Sequence, residues 1–125
     1  MYISVITLKV GNIDRAVDFY TQKLDWEKTM DVPMGEMRWV TVAPKDGETR
    51  ASFTLTNYSP DGSPVQPGGM SGVIMECDDV YAAADRLKKL GVGFTDGPRT
   101  EPWGGWAMFK DSEGNIHGLH SPAPN

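Results

Sequence analysis

Side chains of one kind recur 67 positions apart along most of this chain. Adding 67 carries Ile6 to Val73, Ile13 to Val80, Ala16 to Ala83, Trp39 to Trp106 and Gly47 to Gly114. It also carries Asn12 to Asp79 and Val42 to Phe109. Glu48, Thr49 and Arg50 are extra in the first half, so the ends match at an offset of 64, Leu55 with Leu119. An offset that survives helix, strand and turn signals means one supersecondary unit used twice. Each half is too short to enclose a core of its own with ease, so the two are expected to form one domain. The boundaries read as a first module over 1–57, a linker over 58–69 and a second module over 70–125.

The elements follow from periodicity. Tyr2 to Val10 alternates like a strand. Ile13, Ala16, Val17, Tyr20 and Leu24 then form one helical stripe, behind Asn12 as N-cap. Trp26 to Val32, closed by Pro33, reads as a strand, as do Met37 to Ala43 and Ala51 to Asn57. The segment Tyr58 to Gly69 is rich in Pro and Gly and reads as a linker or mobile loop. Gly72 to Cys77 is a strand, and Asp78 is the expected cap of a helix bearing Val80, Ala83, Ala84, Leu87 and Leu90. Short strands follow over 92–94, 106–109 and 116–120. Gly97 to Gly105 reads as a connector or lid, and Ser121 to Asn125 as a frayed tail. The order is βαβββ twice, an α+β chain.

Composition removes several classes of function. The net charge of −5 argues against a nucleic-acid backbone as partner. No run approaches the roughly 20 apolar residues of a membrane helix, and the first residues lack a signal-peptide pattern. With Cys77 the single cysteine, neither an internal disulfide nor a cysteine zinc cage is available, and a cytoplasmic location is expected.

The stretches Val5 to Val10, Phe19-Tyr20 with Leu24, Gly72 to Val80 and Phe109-Lys-Asp-Ser-Glu-Gly-Asn115 resemble the vicinal oxygen chelate superfamily. That group holds glyoxalase I, extradiol dioxygenases and the bleomycin resistance proteins. Ser112 stands where its final turn usually has Pro. Arg38 to Pro44 is similar to a subgroup of uncharacterised bacterial members. The resemblance implies the glyoxalase/bleomycin-resistance fold, two βαβββ modules forming a curved mixed sheet around a cavity. It also implies a homodimer.

In that fold the helices cover one sheet face and the other lines the cavity. Alternation puts Ile6, Leu8, Val10, Val40, Val42, Phe53, Leu55, Val73, Met75, Cys77, Ala107 and Phe109 under helices. The opposite face takes Lys9, Trp39, Thr41, Thr54, Glu76, Trp106, Met108 and His120, which are the candidate ligand-binding residues. Lys9 and Glu76 are repeat-equivalent and are expected to pair. His117 should face outward, against a helix or the surface.

Members with enzymatic activity usually hold a divalent metal with four His, Gln or Glu side chains. The resemblance carries those positions onto Val5, Thr54, Gly72 and Gly118. Only Thr54 has an oxygen, so neither a metal nor another cofactor is expected. Binding of a small apolar or aromatic compound is the reading that follows. The alternative is a lyase or oxidoreductase with a displaced metal, or with acid–base groups among Glu76, Lys9 and His120. A third is an interaction module.

Overall fold

The computed structural model describes residues 1–49, 51–59 and 61–123. Arg50 of the insertion, Pro60 of the expected linker and the last two residues of the tail lie outside them. The chain divides into two compact units, Met1–Gly68 and Gly69–Asn125. Each is described by itself.

In the first unit, β1 (Val5–Lys9) leads to α1 (Ile13–Asp18), which continues as one π-helical turn, Phe19–Lys23. Then come β2 (Glu27–Met34), β3 (Met37–Ala43) and β4 (Ser52–Thr56). The sheet order is β1-β4-β3-β2, with β1 parallel to β4 and the other pairs antiparallel. The second unit repeats the plan with β5 (Gly69–Glu76), α2 (Val80–Lys89), β6 (Phe94–Glu101), β7 (Gly104–Lys110) and β8 (Asn115–Ser121), ordered β5-β8-β7-β6. The α+β reading and the twofold βαβββ order are both realised.

Each helix covers one face of its own sheet. In the first unit Leu8, Val10, Val40, Val42, Phe53 and Leu55 are buried with Ile13, Ala16, Phe19 and Tyr20. The rings of Phe19, Tyr20, Trp26 and Phe53 run in a chain with centroids 5.1–5.2 Å apart. In the second unit Val80, Ala84 and Leu87 bury with Ala107, Phe109 and Leu119.

Both helices start on a capping side chain. Asn12 accepts from the Arg15 N–H at 2.9 Å. The second cap is Asp79, which accepts from Tyr81 and Ala82, and not the expected Asp78. Asp79 is the residue 67 places after Asn12, and the two share an extended backbone (φ −141° and −146°). The α2 C-terminus closes on Gly91, with N–H groups of Gly91 and Val92 bonded to the carbonyls of Lys88 and Leu87.

Three further expectations are corrected. Pro33 does not close its strand, because β2 is an edge and an edge strand tolerates a missing N–H. The connector or lid expected over 97–105 is largely strand: β6 carries Pro98 as the other edge and runs on to Glu101. β5 begins at Gly69, with a register shift between Met70 and Ile74.

These caps give a direct test. Asp79→Ala should lower stability by about 1 kcal/mol, while Asp78→Ala should stay within about 0.5 kcal/mol of the wild type, both read from urea unfolding.

Candidate functional site

The faces turned away from the helices hold the candidate residues, four on each unit. On the second unit, strand register builds two rows across the sheet. Glu76 lies opposite His120, His120 opposite Trp106, and Trp106 opposite Arg99. The next row is Ile74, Gly118, Met108 and Asp96. Ile74 is exposed and Met108 half-buried.

His120 organises the first row. Its Nδ1 donates to the Glu76 carboxylate at 2.7–2.8 Å, and its Nε2 lies 3.2 Å from the Trp103 carbonyl. Both neighbours are acceptors, and only the protonated imidazolium can donate to both. The Glu76 hydrogen bond, followed by the Trp103 carbonyl, therefore raises the His120 pKa above its usual 6.5. Glu76 thus has a partner on the neighbouring strand.

Trp103 completes an aromatic wall. It sits in the β6–β7 turn, 52% exposed, with its ring nearly parallel to His120 and edge-on to Trp106 at 5.7 Å. Gly104 permits this approach, since a side chain there would collide with the Ser121 carbonyl and His120 Nε2. The sequence reading left Trp103 out of the candidate set, because nothing in turn composition says which way a turn aromatic folds.

Trp106 also determines what position 118 can hold. A Cβ on Gly118 would lie 2.6 Å from Trp106 Cη2. The indole occupies the space from which a ligating side chain would project. Of the other three metal positions, Val5 is a half-exposed hydrocarbon, Gly72 has no side chain, and Thr54 offers a neutral hydroxyl. This set does not fit a divalent cation, which needs several ionised or imidazole donors. Both ring nitrogens of His120 are engaged in hydrogen bonds, so the displaced His120–Glu76 arrangement offers no free nitrogen either. Among the described residues no three His, Cys, Asp or Glu side chains gather as a metal cluster would require.

On the first unit, Trp39 is half-buried, opposite Val32 of β2, and Met37 lies opposite Met34. Met30, Val32 and Met34 are all exposed. The sequence reading had Met30 and Val32 within a strand ending at Pro33 and noted Met34 near the site, but put none of the three in the candidate set. Their alternation across the proline is the signal that identifies them. Thr41 and Thr54 are buried beside one another, and Lys9 is exposed at the end of β1. Thr54 Oγ1 has no hydrogen-bond partner, a condition that typically costs about 1–3 kcal/mol.

Three other features carry no chemistry of this kind. His117 is fully buried under the helix-side face, with Nδ1 2.7 Å from Ser71 Oγ and Nε2 3.8 Å from Asp111. Ser71 spends its hydroxyl on the Ile116 carbonyl and accepts from the Val73 N–H, so the group pins β5 to β8 and does not form a nucleophilic triad. Burial pushes the Cys77 thiol up, away from a reactive thiolate. A groove of about 410 Å³ beside the α2 N-terminus, lined by Asp78, Asp79, Tyr81 and Thr100 among others, takes in none of the candidate residues.

A profile described as the Glyoxalase/Bleomycin resistance protein/Dioxygenase superfamily matches residues 2–117. The chain is 31% identical to the uncharacterized protein YetH of Bacillus subtilis (strain 168) over 115 residues, 91% of this chain and 92% of that one. YurT of the same organism is 34% identical over 121 residues, 93% and 95% of the two chains. The fold is similar to that of TnmS3, described as an antibiotic binding protein from Streptomyces sp. CB03234, with TM-score 0.85, 34% identity and coverage of 98% and 97%. A superfamily member from Sphaerobacter thermophilus DSM 20745 superposes with TM-score 0.86 at 31% identity over 97% of each chain.

Two outcomes follow. Gly118→Ala should destabilise by about 1–3 kcal/mol through overpacking, and Trp106→Ala in the same chain should relieve it, a coupling that a double-mutant cycle in urea will read. His120 should titrate above 6.5 by NMR and fall back toward that value in Glu76→Gln. Because its folded pKa is raised, the pair's contribution to stability is complete below 6.5 and is lost as pH climbs through the raised value.

Proposed function

Because the chain belongs to the glyoxalase/bleomycin resistance protein/dioxygenase superfamily, we propose that it binds a small, largely apolar, aromatic compound without a metal ion and sequesters it. The observation that carries this reading is the Trp106 indole lying over Gly118, an aromatic surface where a metal ligand would project. Trp103 and His120 extend that surface, and Met108 borders it. Flat ligands stack on such rings, and methionines adapt to their outline. The antibiotic binding described for TnmS3, a relative at 34% identity, points the same way.

On the first unit Trp39, Val32 and the methionines of β2 supply a matching surface, with Lys9, Thr41 and Thr54 as its polar groups. Exposed apolar side chains of this kind are also what a second copy would cover, and we take the working form as a homodimer. No helix among the described residues is long and apolar enough to cross a membrane. A cytoplasmic site of action is proposed on the unpaired Cys77.

A second reading rests on the Glu76–His120 pair, which holds a proton on the same face as the indoles. It is an acid–base enzyme in which His120 is the acid. It predicts turnover of a bound compound, lost in His120→Gln while binding persists.

Tryptophan quenching by a panel of fused-ring compounds tests the first reading. Dissociation constants in the micromolar range, unchanged by a chelator, are expected. Trp103→Ala should weaken binding about two- to tenfold, the value of one aromatic contact. A panel without any micromolar ligand, or binding abolished by the chelator, would defeat it. Light scattering will report the dimer.

A further inference from the structure

On the uncovered face of the second sheet, two apolar side chains close over Gly118. A side chain at that glycine would meet the Trp106 ring from β7 and Ile74 Cγ1, 3.2 Å away, from the edge strand β5. The indole and the isoleucine therefore form one apolar shelf across three strands, and Ile74 is 61% exposed. Neighbouring strands lie about 4.8 Å apart, so the shelf is about 10 Å wide, enough for a fused two-ring system.

One carboxylate stands at the rim of that shelf. Glu76 follows Ile74 by two residues on β5 and shares its face, about 7 Å farther along the strand. Its side chain is 60% exposed, so its oxygens are open to an arriving molecule. An ionised carboxylate has about four acceptor positions. His120 takes up part of that capacity with a single N–H, shared between the two oxygens at 2.8 and 2.7 Å. No other donor among the described residues reaches the carboxylate. Arg99, the cation of the same row, is spent on Asp96 and Glu101 at 2.9–3.0 Å. The protein thus holds Glu76 from one side and leaves its remaining lone pairs to something outside the chain.

We propose that Glu76 is the polar recognition group of the aromatic site and accepts a hydrogen bond from a hydroxyl or N–H on the edge of the bound ring. This rests on the binding reading above and narrows it to aromatic compounds that carry such a donor, as phenols do. An ether at that edge has no hydrogen to give. A carboxylate or phosphate there meets a like charge. Stacking on Trp106 supplies affinity, and Glu76 selects among compounds that stack equally well. The His120 N–H fixes the direction of the carboxylate, so the acceptor is oriented before the ligand arrives.

The test uses 2-naphthol and 2-methoxynaphthalene, which share a ring system while only the naphthol can donate. Equilibrium dialysis in mildly acidic buffer, where the naphthol is neutral, gives affinities for the full-length wild type, Glu76→Ala and Glu76→Gln. The wild type should favour the naphthol about three- to tenfold, the value of one hydrogen bond at an exposed acceptor. Glu76→Ala should abolish the preference, and Glu76→Gln, which keeps a neutral acceptor, should retain part of it. Equal affinities in the wild type, or a naphthol preference that survives Glu76→Ala, overturn the inference and leave aromatic binding standing. A loss in Glu76→Ala shared equally by both compounds also overturns it, since Glu76 would then act only by positioning His120. Absence of micromolar binding by both compounds to the wild type defeats the binding reading, and this inference with it.

Discussion

Parallel pairing of the first and last strand of each module governs everything else here. β1 lies along β4 and β5 along β8, and strands running the same way cannot be joined by a tight turn. The helix of each module joins its first strand to its second, β1 to β2 and β5 to β6, which run the same way at opposite edges of the sheet, and it covers one face of that sheet. Leu8, Val42, Phe53 and Leu55 are buried by that cover in the first unit, and Ala107, Phe109 and Leu119 in the second. The other face is turned away from that helix, and threonines, tryptophans, methionines and the Glu76–His120 pair collect there.

On the second unit this face carries a row of stacked rings, Trp103, His120 and Trp106. Where relatives with enzymatic activity ordinarily place ionised or imidazole donors, this chain has Gly118 with the Trp106 ring against it. The one imidazole on the face is turned sideways, toward Glu76 and the Trp103 carbonyl. Function on this scaffold therefore has to be read from the side chains of the uncovered face.

Most of the fold was legible because the repeat reports it twice. The 67-residue offset places Asp79 opposite Asn12, and both turned out to be caps; reading local composition alone favours Asp78 wrongly. Pro33 and Pro98 misled for one reason, that a proline argues against a central strand and says nothing against an edge. Within the site, alternation put Trp39, Thr54, Trp106 and His120 on the uncovered faces. It did not reveal the partner of Glu76. Parallel register sets residues 44 apart side by side, Glu76 with His120, a pairing that the repeat does not point to. Trp103 could be noted beside Gly104-Gly105 but not placed, because its position depends on how closely the β6–β7 turn approaches β8, a packing result with no sequence period.

The contact between Trp106 and Gly118 also constrains the order in which this chain can change. A donor at position 118 meets the indole first, so a histidine or glutamate there is penalised as long as Trp106 remains. Substitution of Trp106 alone removes the stacking surface and supplies no donor in its place. Positions 106 and 118 are therefore coupled: a larger side chain at 118 finds room only once the indole at 106 has gone, and the two must be exchanged together.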